Sequence, residues 1–163
     1  MADNPTLTTK KKAKRRPAYK LVQRATNMSA AVSDAFSEIE SLAEEMRETY
    51  DNMDGNGLGA TEKCQAAGSA ADALECATEV DVPECLVDVE VHYSESVNVR
   101  KNRGPSRAAR LSNAVSVLEA AKAAAEEADL VEDAAAAERD DFVSELESAI
   151  GEVEGTEFPG MFG

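Results

Sequence analysis

A row of apolar residues stepping by four and three runs from Leu21 through Ala25, Met28, Val32, Ala35, Ile39, Leu42 and Met46 to Met53, broken only at Thr49. A repeat of roughly 3.5 residues places such side chains on one stripe of an α-helix, and the stripe must be buried against a neighbouring helix. Phe36, Ala43 and Tyr50 widen one edge of it. Pro17 suits a first helical position, where its missing N–H would go unpaired anyway. Asp54-Gly55-Asn56-Gly57-Leu58-Gly59 supplies the backbone freedom that ends a helix. The spacing therefore predicts a helix over about 17–53, roughly 55 Å long at ~1.5 Å per residue.

A second helix is expected over 61–79. Its seam of Cys64, Ala67, Ala71 and Leu74 is mostly small. Small residues facing large ones let two helix axes approach, which favours an antiparallel hairpin and offsets the helix cost of Gly68. Residues 80–99 read two ways. Val87, Val89, Val91 and Tyr93 alternate as a strand does, while Leu86, Val89, Tyr93 and Val97 fit a helical face after Pro83. A lone strand would have nothing to pair with, so the expectation is a short helix or extended connector. From Ser106 to Ile150 there is neither Gly nor Pro. That stretch is either one helix of about 45 residues or two meeting near Asp129–Asp133, because its middle is acidic and weakly apolar.

Only 4% of the chain is aromatic and there is no Trp. Each missing aromatic would bury roughly 150–250 Å², so a thin helical assembly is favoured over a thick core. The expected fold is all-α, with long coiled-coil-like antiparallel helices in a thin bundle. It comprises a disordered basic arm over 1–16, a bundle over 17–154 (helices about 17–53, 61–79 and 105–153) and an apolar tail over 155–163. Thin helices leave apolar edges, so self-association through the seam is a further expectation.

Charge is segregated. The net charge is −15, yet residues 1–30 carry eight bases against one acid, and residues 96–110 carry five bases and no acid. Lys10, Lys11, Lys12, Lys14, Arg15 and Arg16 put six charges in seven residues, a pattern that attracts polyanions or simply stays solvated. Arg100, Lys101, Arg103, Arg107 and Arg110 precede and open the last helical region, where a helix N-terminus also favours anions. These arginines have a second reading, as internal partners of the acids on the first helix. Those acids, Glu44, Glu45 and Glu48 among them, form either an ordinary solvated face or a surface offered to a basic partner groove. The closing Phe158, Met161 and Phe162 either pack on the chain itself or serve as a peptide motif.

Catalytic chemistry finds little footing. His92 is the single histidine, and no glycine-rich elbow surrounds it or its neighbours Tyr93, Ser94 and Ser96. Cys64, Cys76 and Cys85 match no zinc or redox spacing and read as reduced small apolar residues. Asp51 to Asn56 has part of a calcium-loop pattern without its terminal Glu, and a helix-end turn explains it better. No metal, cofactor or catalytic residue is expected. No apolar run reaches the ~20 residues of a membrane span.

RKNRGPSRAARLSNAVSVLEAA, from Arg100, and the EFPGMFG ending resemble short helical proteins of unknown function from tailed bacteriophages. The resemblance covers roughly residues 17–53 and 95–163, implies a phage or prophage origin, and transfers no activity. The function expected is a non-enzymatic, phage-type interaction protein. It would bind a host or virion protein through acidic helical faces, as an inhibitor of DNA-mimic type or a structural part. The alternative is a nucleic-acid-binding protein that uses residues 10–24 and 100–110. The expected location is the host cytoplasm or the virion.

Overall fold

The computed structural model describes residues 19–99, 104–130 and 132–160. The basic arm expected over 1–16, together with Arg100, Lys101, Arg103, Met161 and Phe162, lies outside the described residues. The chain runs in the order β1 (Tyr19–Asn27), α1 (Met28–Gly55), α2 (Glu62–Cys76), a 3-10 turn (Glu84–Leu86), β2 (Glu90–Asn98), α3 (Arg107–Glu127) and α4 (Asp133–Val153).

The fold is therefore mixed, helices plus a small sheet, and the all-α expectation is wrong. Residues 19–27 do not extend the first helix. They form a strand that pairs antiparallel with β2, from Tyr19 opposite Asn98 to Asn27 opposite Glu90, without a bulge. Leu21, assigned to the helical seam by its spacing, is 67% exposed. The helix starts at Met28 because Asn27, in extended conformation, accepts a hydrogen bond on its side chain from the Ala30 N–H at 2.8 Å. That is an N-cap, and it satisfies a donor that the first turn would otherwise orphan. The Met28 N–H donates to the Val89 carbonyl at 2.8 Å, joining the start of the helix to the start of β2.

The same pairing resolves the ambiguity over 80–99. Val91 is fully buried, with Tyr93 and Val97 half-buried on the same side of the ribbon, so the alternation is that of a strand with one inward face. Asn113 on α3 closes the outer edge of β2. Its Oδ1 accepts from the Ser96 N–H at 2.9 Å and its Nδ2 donates to the Ser96 carbonyl at 3.1 Å. One side chain thus stands in for a third strand.

From Met28 onward the predicted stripe is the core. Met28, Val32, Ala35, Ile39, Leu42 and Met46 are at most 3% exposed. Ala31, Phe36 and Ala43 are buried as well, which makes the stripe too broad for a coiled-coil seam. It is shared between α2 on one side and α3 on the other, so α1 is the central helix of a bundle rather than half of a coiled coil. Its seam is filled by its own chain and is not free to meet a second copy.

α2 folds back antiparallel along α1. Gly68 is buried against the Tyr50 ring, where an added Cβ would lie 2.9 Å from a ring carbon. The C-terminal stretch is two helices, α3 ending at Glu127 and α4 beginning at Asp133. Ala128 and Leu130 in the link are only partly buried against the core, and Phe142, Leu146, Ala149, Ile150 and Val153 of α4 return to the core shared with α2 and α3.

The Gly68 contact sets a test. Gly68→Ala should lower stability by about 1 kcal/mol, because ring displacement outweighs the gain in helix propensity. Thermal unfolding of Gly68→Ala, alone and combined with Tyr50→Ala, checks this. The steric share of the loss should vanish in the double variant.

Candidate functional site

Almost every described base is used inside the molecule. Arg47 joins α1 to α2, donating to Glu75 at 2.6 and 2.9 Å and to Asp72 at 2.7 Å. Arg107 and Arg110 join α3 to α1, Arg107 reaching Glu45 at 3.0 Å and Arg110 clasping Glu38 and Glu45 together. Lys122 links α3 to Glu147 on α4, and Arg24 links β1 to Glu95 on β2 at 3.1 Å. Arg139 pairs locally with Asp140. Among the described residues only Lys20 and Lys63 stand outside such ion pairs.

Two candidates from the second basic island are thus brought to a candidate acid. Arg107 and Arg110 lie in the opening turn of α3, which Ser106 caps by accepting from the Ala109 N–H at 3.2 Å. Both turn toward α1. The Arg110 side chain is 22% exposed, and Ser41 accepts a further hydrogen bond from it at 3.2 Å. Burial works to raise the Glu45 carboxyl, but the hydrogen bonds from Arg110 and Arg107 outweigh it and hold the group below its ordinary 4.5. Glu45 and these arginines therefore form an internal joint.

Glu44 and Glu48 differ from Glu45. They are exposed, one helical turn apart on the outer face of α1, with Glu40 continuing the row. Beside that row lies a groove of about 500 Å³ between α1 and the end of α2. Its apolar lining comes from Phe36, Ile39, Ala43 and Leu74, and its acids are Glu40, Glu44, Glu75 and Glu79. Arg47 already engages Glu75 and lowers its carboxyl; Glu40, Glu44 and Glu79 have no ion-pair partner among the described residues. Spacing along the sequence could not reveal this groove, because Glu79 reaches it only after α2 has folded back.

Phe158 is half-buried and packs against the core, carried there by a turn at Gly155 with φ of +89°. Its ring belongs to the self-packed reading of the tail. Residues 51–56 form the helix-end turn, with the Asn56 amide donating to the Asn52 carbonyl at 2.6 Å. His92 is exposed, 3.6 Å from Glu90. Cys64 is buried and its thiol is pushed up by desolvation and by Asp54, away from a reactive thiolate. Among the described residues no group of His, Cys, Asp or Glu is placed to hold a metal ion, and no helix is long and apolar enough to cross a membrane.

The joint predicts a pH dependence. Because the folded value of Glu45 is depressed, its contribution to stability is complete above about pH 4.5 and is lost as pH falls through the lowered value. Arg110→Gln should cost about 1 kcal/mol at neutral pH. The double change Arg107→Gln, Arg110→Gln should also flatten the acid limb of a denaturation-midpoint profile against pH.

No protein-family description, curated protein or solved structure matches this chain.

Proposed function

We propose that this chain is a non-enzymatic interaction protein whose acidic groove between α1 and α2 receives a basic, partly apolar segment of a protein partner. The observation that carries this reading is the make-up of the groove. Phe36, Ile39, Ala43 and Leu74, at most 6% exposed, form a narrow apolar floor, and Glu40, Glu44 and Glu79 at the rim supply charge that no base of the described chain compensates. A helix with apolar residues on one edge and Lys or Arg on the other would bury the first and neutralise the second. The notion of an acidic surface survives from the sequence, but its members change. Glu45 and Glu48 leave the set, and Glu40 and Glu79 join it. A phage-type setting, in the host cell or the virion, rests on the sequence resemblance alone.

A second reading, nucleic-acid binding, is favoured by one observation. Tyr19 and Asn98 are register partners, and the two basic islands adjoin them in the chain, ending at Arg16 and beginning at Arg100. Tyr19 and Asn98 thus lie side by side at one end of the ribbon. Arg107 and Arg110 are spent on Glu38 and Glu45, so this reading now depends on the islands' other bases.

The two readings separate in one experiment. Tagged protein is used to capture partners from a nuclease-treated bacterial lysate, with Glu40→Lys/Glu44→Lys/Glu79→Lys and a deletion of residues 1–16 as variants. A protein partner kept by the deletion and lost by the triple reversal is the expected result. Partners that disappear on nuclease treatment and with the deletion would instead place function in the basic islands, with binding that falls steeply as salt rises.

A further inference from the structure

The outer edge of β1 is left open by the described residues. The sheet has two strands; α3 packs on β2 and its Asn113 bonds the far edge of β2 at Ser96, whereas the far edge of β1 meets no third strand among the described residues. The strand is nine residues long, pairs without a bulge and contains no proline. Most of it is exposed, including Tyr19 at 37% and Leu21 at 67%. Such an edge is a template for another strand, and natural proteins usually shorten, bend or cover it.

We infer that the edge is occupied by a second copy of this chain, β1 pairing antiparallel with β1 about a two-fold axis through Gln23. Register selects this arrangement. A two-fold antiparallel pair must bring outward-facing residues opposite one another, so its axis passes through a residue. Centring on Val22 sets Lys20 against Arg24, and centring on Arg24 sets that residue against itself. Like charges directly opposite are unfavourable. Centring on Gln23 engages all nine residues, with Tyr19 opposite Asn27, Lys20 opposite Thr26, Leu21 opposite Ala25 and Val22 opposite Arg24. No like charges then face each other, Leu21 gains an apolar neighbour, and Arg24 keeps Glu95. Tyr19 and Leu21 lie on the ribbon face opposite Tyr93, so the added strand does not disturb the face that packs on α3.

Charge favours the same arrangement. In this register Tyr19, which six bases between Lys10 and Arg16 precede in the sequence, lies opposite the second copy's Asn27. Glu90 is the register partner of Asn27, and Asp88 precedes Val89, whose carbonyl accepts from the Met28 N–H, so two acids of that copy lie at this end. Both Asp88 and Glu90 are exposed. The bases that precede Tyr19 in the sequence are opposite in charge to these acids. The dimer is one sheet in the order β2-β1-β1-β2, built on backbone hydrogen bonds rather than on the seam of α1.

The full chain should have twice its 17.3 kDa mass by light scattering after size exclusion. Gln23→Lys places like charges on the axis and should weaken the dimer several-fold, with the circular dichroism of the monomer fold retained; the neutral Gln23→Thr should not. In a background with Cys76→Ser and Cys85→Ser, Gln23→Cys should cross-link one copy to the other through position 23 under a short bifunctional thiol reagent. A single-chain mass at every concentration would overturn the inference and leave the edge to a strand of a different protein. A dimer indifferent to Gln23→Lys, or one that fails to cross-link at that position, would overturn it as well.

Discussion

Burial of the α1 stripe is the constraint on which the other elements depend. Met28 to Met46 is the longest row of large apolar side chains in a chain with few of them, and it presents more surface than one neighbouring helix can cover. α2 covers one flank and α3 the other, and α4 closes over both. The covering helices are rich in alanine, with Ala67, Ala70 and Ala71 on α2 and Ala114, Ala121 and Ala125 on α3 buried. Small side chains bring the backbones close, so packing is obtained from proximity rather than from large residues. Gly68 against the Tyr50 ring is the tightest instance of this.

Charge follows from the same economy. Alanine-rich faces make weak directional demands, and the junctions between elements carry one or two basic side chains each: Arg47, Arg107 with Arg110, Lys122 and Arg24. Exposed pairs of this kind add little to stability singly, but they select which face meets which. Their use inside the molecule leaves most carboxylates uncompensated at the surface. The acidic exterior is thus partly a consequence of how the bases are spent, and the groove beside Glu40, Glu44 and Glu79 is where that excess meets apolar surface.

The structure departs from the sequence pattern at residues 19–27 and 90–98 for one reason. Leu21 and Ala25 satisfy the helical period, and that apparent fit removed the only segment with which residues 90–98 could pair. The strand pattern there was visible, in Val91 and Tyr93, but a strand needs a partner, and its partner lay 71 residues away in sequence under a helical disguise. Asn27 was the local signal that could have corrected both, since an asparagine before Met28-Ser29-Ala30 is a helix cap in form. The candidate site was legible only in part. Glu44 and Glu48 could be picked as exposed acids, but Glu45 differs from them only through Arg107 and Arg110, which arrive from a distant segment.

The sequence by itself determined the central helix from Met28, its hairpin with α2, the alanine-rich helices that follow and the segregation of charge. Each of these is written in contiguous residues, through a period, a glycine turn or a run of like charges. Only the tertiary structure decided that residues 19–27 are a strand, that the last region is two helices, and which charges remain free. Those outcomes depend on pairings between distant segments, whose backbone hydrogen bonds and ion pairs outweigh local preference once the segments are brought together.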